Sequence, residues 1–222
     1  MKLKKYAVIV AGGNGTRMLS SIPKQFMILA DLPILMHTIK AFFNIDASIV
    51  IILALPASQI YFWKQLCIKY NFTIDHQIVE GGATRFHSVK NALAQINEDS
   101  IIAIHDGVRP LVPAHVILEA FEVAATKDTA IPSIPINESI RMIENDKNRA
   151  VNRTQYRIIQ TPQCFSSTVL KNAYKQEFQD AFTDDASVVE AMGSVINLIE
   201  GDRRNIKITT SEDLLIAESF LK

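Results

Sequence analysis

The stretch Ala11-Gly12-Gly13-Asn14-Gly15-Thr16-Arg17-Met18, which follows the apolar run Tyr6–Val10 and leads to Pro23-Lys24-Gln25-Phe26, decides how this chain folds. A short apolar run that stops at paired glycines reads as a buried strand ending in a tight turn. Three glycines in four positions let the backbone approach a ligand and turn its N–H groups inward. A phosphate chain is the ligand that most needs such a cradle. Two common phosphate motifs fail here: G-x-G-x-x-G requires glycine at 18, where Met18 stands, and no G-K-[ST] follows for a P-loop. What remains is a glycine turn with Arg17 and Lys24 seven residues apart. Fixed cations beside such a cradle stabilise the charge that gathers on the non-bridging oxygens when a phosphorus centre is attacked. Taken alone, the glycines fit a plain strand-to-helix turn equally well. The added Pro23-Lys24-Gln25 cluster favours a phosphate site.

Outward from this turn, short apolar runs alternate with helical patterns, which points to an α/β fold with a mostly parallel sheet covered by helices. Strands are expected at Tyr6–Val10, Ser48–Leu55, Asp75–Val79, Ile101–Ile104 and Thr129–Ile134. Helices are expected at Ile34–Phe43, from Pro56 to about Tyr70, at Thr84–Ile96, at Pro113–Ala125, and after Thr209. The stretch from about 137 to 157 breaks the pattern: it is polar and charged and suits a protruding hairpin or a long solvated loop. The chain of 222 residues suits one domain, 1–222, with that stretch as an arm insertion.

Lys plus Arg and Asp plus Glu are both 23, so the formal net charge is zero, which argues against a nucleic-acid binder. Cys67 and Cys164 lack the spacing of a disulfide framework or zinc site, and no run reaches the apolar length of a membrane span. The expected compartment is a reducing cytoplasm.

AGGNGTRM…PKQF resembles the signature of sugar-phosphate nucleotidyltransferases, and specifically of the 2-C-methyl-D-erythritol 4-phosphate cytidylyltransferase family. The resemblance continues in order through GGATRFHSV (Gly81–Val89), HDGVRP (His105–Pro110), TPQCF (Thr161–Phe165), TDDAS (Thr183–Ser187) and NIKIT (Asn205–Thr209). It implies a Rossmann-like three-layer nucleotidyltransferase fold with a mostly parallel twisted sheet and a protruding dimerisation arm. The implied reaction transfers a cytidylyl group from CTP to a sugar-alcohol phosphate, assisted by Mg²⁺, in a homodimer joined through the arm. Arg17, Lys24 and Lys207 are then the catalytic cations. Ala11, Gly12, Gly13, Gly15, Gly82, Ala83, Ser88, Asp106 and Gly107 bind CTP. Asp106, Arg109, Ser139, Arg153, Thr183, Lys207 and Thr209 bind the acceptor.

The residues carry readings of their own. Asp106 follows the strand Ile101–Ile104 at its carboxyl end, where open α/β sheets bind ligands, which makes it a Mg²⁺ or hydroxyl contact, or else a turn cap. Arg109 either pairs with Asp106 or reaches the acceptor phosphate. Alternation in Asn205–Thr209 puts Lys207 and Thr209 on one face of an extended segment. Ser88 either donates to the base or is a helix-surface serine, and Thr183 either binds the acceptor or caps a helix. The family's V-D-R reads Val151-Asn152-Arg153 here, and its arm threonine is Ser139. The rivals are a ribitol-5-phosphate cytidylyltransferase, a catalytically silent nucleotide-binding protein and, disfavoured by Met18, a nicotinamide dehydrogenase.

Overall fold

A computed structural model describes residues 3–13 and 22–221. β1 (Lys4–Val10) is followed by a 3-10 turn, Lys24–Phe26, and a small hairpin of β2 (Ile28–Leu29) and β3 (Leu32–Pro33). Helices and strands then alternate: α1 (Ile34–Phe43), β4 (Val50–Leu55), α2 (Ala57–Lys69), β5 (Gln77–Glu80), α3 (Arg85–Leu93), β6 (Ser100–Asp106), α4 (Ala114–Lys127) and β7 (Thr129–Pro135). The hairpin β8 (Arg141–Glu144) and β9 (Lys147–Ala150) interrupts the alternation. The chain resumes with β10 (Arg157–Ile159), β11 (Gln163–Ser166), α5 (Ser167–Ala173), α6 (Asp185–Glu190), β12 (Leu198–Glu200) and α7 (Ser211–Ser219).

The sheet runs β10-β7-β11-β6-β1-β4-β5, with β12 paired to β7. β1 lies parallel between β4 and β6, and β5 is parallel to β4, whereas β11 runs antiparallel between β6 and β7. Alternation along the strands feeds two separate cores. Ala7 and Ile9, Ile51 and Leu53, and Ile101 and Ala103 face α1, α2 and α4. Val8, Ile52, Ile102 and Ile104 face α3, α5 and α6. Both faces of the central strands are therefore buried, which is why they read as continuous apolar runs. Each fully buried Ile or Leu contributes about 1.5–3 kcal/mol, so the layers rest on strands and helices together. Trp63 of α2 is fully buried, stacks on Phe26 at 6.1 Å and donates its indole N–H to His76 Nε2 at 2.9 Å.

The five expected strands and five expected helices are present, with shifted ends. β5 begins at Gln77 rather than Asp75, and β6 extends to Asp106, so this carboxylate belongs to the strand. Thr84 caps α3 from outside by accepting from His87 N, and Thr210 caps α7 in a reciprocal box with Asp213. The polar stretch forms the exposed hairpin. Its turn residues Asn145 and Asp146 both have positive φ, a turn that matches strand twist and that asparagine and aspartate tolerate. Asn205–Thr209 is not an alternating strand: Asn205 and Ile208 are both buried and Lys207 is exposed. Among the described residues, no helix is long and apolar enough to cross a membrane.

Candidate active site

The site forms where the parallel strands end. Val10 is in register with Ala54 on one side and Asp106 on the other. Backbone bonds continue past the sheet: Ala11 N donates to Ala54 O at 3.0 Å, Gly107 N to Val10 O at 2.9 Å, and Gly81 N to Leu55 O at 2.7 Å. Glycine is required at two positions along this edge. A Cβ on Gly107 would stand 2.8 Å from Ala11 Cβ, and one on Gly82 would stand 2.3 Å from His87 Cβ.

Two clefts open along this edge. The first, about 280 Å³, is lined by Ala11, Gly12, Gly13, Lys24, Gly82, Ala83 and Ser88 among others. The second, about 300 Å³, is lined by Arg109, Gln160, Thr161, Gln163, Thr183 and Asp184. Arg85, Asp106 and Lys207 line both and form the wall between them. A ligand in either cleft meets the same three charges.

In that wall Asp106 is gripped by three cations. Lys207 Nζ lies 2.9 Å and Arg109 Nε 3.4 Å from Oδ2, and Arg85 Nε lies 3.6 Å from Oδ1. Burial alone would raise the Asp106 carboxyl, but Arg85, Lys207 and Arg109 outweigh it and hold the group well below the usual carboxylate range. Arg85 is itself paired two-pronged with the fully buried Asp185, at 2.9 and 2.6 Å. Arg109 donates to the Asn205 carbonyl at 2.7 Å and is pulled below its ordinary value by burial. Lys207 is 43% exposed at the side chain, so of the three it is the cation with room to follow a ligand phosphate.

His105 supports the wall from below. It is fully buried, packed edge-on against Phe42, with Nε2 3.1 Å from Arg109 O and Nδ1 3.0 Å from the Thr161 hydroxyl. Thr161 Oγ1 also accepts from Asp106 N at 3.1 Å, so its hydroxyl proton is available to Nδ1 and the ring proton sits on Nε2. Burial lowers the imidazole from 6.5 to about 4. The unfolded chain therefore takes up a proton at His105 that the folded chain refuses. Its contribution is complete above pH 6.5 and is lost as the pH falls toward 4, on the order of 3 kcal/mol. Urea denaturation from pH 7.5 to 4.5 should show this decline, and His105→Gln should flatten it; an unchanged slope in the variant would remove His105 as its source.

Most residues singled out in the sequence meet here. Ala11, Gly12, Gly13, Lys24, Gly82, Ala83, Ser88, Asp106 and Lys207 line the first cleft, and Arg109 and Thr183 the second. Gly15 and Arg17 lie outside the described residues. Gly107 is buried behind Ala11 as a spacer. Ser88 donates to Thr84 O at 2.9 Å and accepts from Gly82 N at 3.1 Å, so its single donor holds the loop. Asp184, not Thr183, caps α6. Thr209 lines neither cleft; its N–H and hydroxyl both donate to Asp213 Oδ2 at 2.8 Å. Ser139 and Arg153 are exposed at the base of the hairpin and line neither cleft, Arg153 donating to Asn137 O. The sequence reading passed over Arg85 and Asp185, both quoted within blocks but given no role.

The family profile for 2-C-methyl-D-erythritol 4-phosphate cytidylyltransferase matches residues 6–222. The chain is 50% identical to the protein of that name from Phocaeicola vulgatus over 219 residues, 99% of this chain and 100% of that one. It is 51% identical to its counterpart from Azobacteroides pseudotrichonymphae over 220 residues, 98% and 99% of the two chains. Among solved structures, a 4-diphosphocytidyl-2C-methyl-D-erythritol synthase superposes with a TM-score of 0.83 at 26% identity, covering 100% of both chains. The Francisella tularensis 2-C-methyl-D-erythritol 4-phosphate cytidylyltransferase superposes with a TM-score of 0.81 at 29% identity, covering 97% of this chain and 99% of that one. With the glycine turn, the charged wall and the hairpin all in place, and relatives matched nearly end to end, this chain belongs to the 2-C-methyl-D-erythritol 4-phosphate cytidylyltransferase family.

Proposed function

We propose that the first cleft holds CTP and the second holds 2-C-methyl-D-erythritol 4-phosphate, with transfer taking place across the wall they share. The observation that carries this reading is that Arg85, Asp106 and Lys207 border both clefts. A phosphate oxygen of the acceptor forms a bond to the α-phosphorus of CTP. The bond from that phosphorus to the oxygen bridging to the β-phosphorus breaks, and pyrophosphate leaves with the electron pair. The product is 4-diphosphocytidyl-2-C-methyl-D-erythritol, an intermediate on the route to isoprenoid precursors. The nucleophile is already an anion, so the protein's task is placement and charge stabilisation. Gly12 and Gly13 admit the triphosphate, and Lys24 and Arg17 hold its charge. The Gly82–Ala83 loop receives the nucleoside, and Lys207 moves from Asp106 to the acceptor phosphate.

Asp106 lines the first cleft and its carboxyl is held well below the usual range, so it is an ionised oxygen donor there. It is the protein carboxylate that would hold Mg²⁺ brought in on the triphosphate, whose oxygens would complete the donor set. When bound, the ion supplies charge neutralisation on the phosphate oxygens.

Ser139 and Arg153 line neither cleft of their own chain. This supports a homodimer in which each arm reaches the acceptor cleft of the other protomer, with 1–222 as a single nucleotidyltransferase domain. The free thiols of Cys67 and Cys164 suit a reducing cytoplasm, and burial pushes the Cys67 thiol up to about 11. The deciding experiment is pyrophosphate release with CTP and Mg²⁺, comparing methylerythritol 4-phosphate with ribitol 5-phosphate. Release with the former is the expected result. Preference for ribitol phosphate would reassign the second cleft, and no release with either would remove the transferase reading.

A further inference from the structure

Asp185 takes no part in the steps above, yet it is the carboxylate most completely withdrawn from solvent behind the wall. It is the first residue of α6 and is fully buried. Its Oδ1 accepts from Tyr174 Oη at 2.6 Å and from Arg85 Nη1 at 2.9 Å, and its Oδ2 accepts from Arg85 Nη2 at 2.6 Å. Two parallel bonds fix both the position and the plane of a guanidinium, which a single contact does not. Tyr174 is also buried, and its ring stacks at 4.7 Å on Phe86, the neighbour of Arg85 on α3. Residues of α3 and α6 and the residue that caps α5 thus converge on one side chain. With Nη1 and Nη2 engaged at the back, Arg85 turns its Nε edge toward Asp106 Oδ1 and keeps 30% of its side chain open to the clefts. A buried carboxylate is weak evidence for stability, since well-packed apolar residues serve as well. What Asp185 supplies is the direction it imposes on Arg85.

We propose that Asp185 is a positioning residue for the transfer step: through its two-pronged hold on Arg85, with Tyr174 behind it, it keeps a cation of fixed orientation in the wall between the nucleotide and acceptor clefts. Lys207 and Arg85 then divide the work. The exposed lysine follows the acceptor phosphate, and the clamped arginine stays where charge develops on the non-bridging oxygens of the phosphorus under attack. The inference rests on the reading of this wall as the place of transfer.

The test is steady-state pyrophosphate release by the full chain with CTP, methylerythritol 4-phosphate and Mg²⁺, alongside thermal melting. Asp185→Asn should lower kcat by about 10- to 100-fold while KM for both substrates stays within about threefold, the pattern of an interaction made in the transition state. A double variant, Arg85→Met with Asp185→Asn, removes both charges and should melt closer to the wild type, but its kcat should remain low. Recovery of turnover together with stability would make the pair merely structural and overturn the proposal. Tyr174→Phe keeps the ring stack and deletes one hydroxyl. It should fold and lose about three- to tenfold in kcat. If Asp185→Asn does not fold, this variant decides alone, and wild-type turnover in it overturns the proposal. Failure of the wild-type protein to release pyrophosphate overturns this inference and the function together, whereas full turnover in the variants overturns this inference only.

Discussion

Replacing Lys24 with alanine should lower kcat by about 10²- to 10³-fold, the scale for removing one preorganised charge from a developing oxyanion. The lysine is well placed for that loss. It opens the 3-10 turn Lys24–Phe26, and its Nζ lies 3.8 Å from where a Cβ on Gly13 would stand, directly over the glycine turn. The turn is anchored on both sides: Gln25 Nε2 donates to Ala11 O at 2.9 Å and to Gln59 Oε1 at 2.6 Å, and Phe26 is buried. The ammonium therefore requires little reorganisation when charge builds on the α-phosphate. Gln25 and Phe26 hold the turn, so folding should be intact in the variant. Lys24→Arg should recover only part of the rate, because a planar fork does not occupy the place of a point charge. Steady-state pyrophosphate release with circular dichroism checks this. Turnover within about threefold of the wild type would remove Lys24 from the transition state.

Asp106→Asn should be costly in two ways at once. The substitution preserves shape but leaves Arg109 buried with the Asn205 carbonyl and no counter-charge, which costs about 3 kcal/mol of stability at neutral pH. It also removes the anion that gathers Lys207, at 2.9 Å, and Arg85, at 3.6 Å, in the wall between the clefts, so turnover should fall by about 100-fold. The pH dependence identifies the cause. The folded carboxyl sits below its ordinary 3.8, so its stabilisation is fully present above that value and is lost as the pH falls through the folded value. The gap between wild type and variant should therefore hold at neutral pH and close in strong acid. Urea denaturation at several pH values reads this directly, and a variant as stable as the wild type at pH 7 would show that the three cations need no anion.

Much of this site is legible in the sequence because it lies in contiguous blocks at strand ends. The apolar run Tyr6–Val10 with its glycines, the run Ile101–Ile104 just before His105-Asp106 and the loop Gly81–Thr84 each pair a buried strand with a turn, and both signals are local. Arg85 was not legible as a functional group. Its meaning depends on Asp185, one hundred residues away, and no periodicity joins them. The same holds for β11, whose four residues, three of them buried, lie between β6 and β7 but are too few to show a period. The extended face expected for Asn205–Thr209 failed for a related reason. Asn205 Nδ2 donates to Thr161 O at 2.8 Å, and this tertiary bond draws a polar residue inside, against the alternation of its neighbours. Ser139 and Arg153 carry a role only if a second copy of the chain completes the acceptor cleft, and one chain's backbone pattern cannot encode that.

Trp63 is the one tryptophan in the chain. Its ring is sealed from water, rests on Phe26 and is tethered to His76, so a single fluorophore sits one aromatic layer behind the turn that carries Lys24. Lys24 and Gln25, which precede Phe26 in that turn, line the first cleft and not the second, so emission should respond to a ligand in the first cleft. With CTP in that cleft as proposed, the protein carries an intrinsic optical label for nucleotide arrival, by which the order of substrate binding can be followed in real time without a dye.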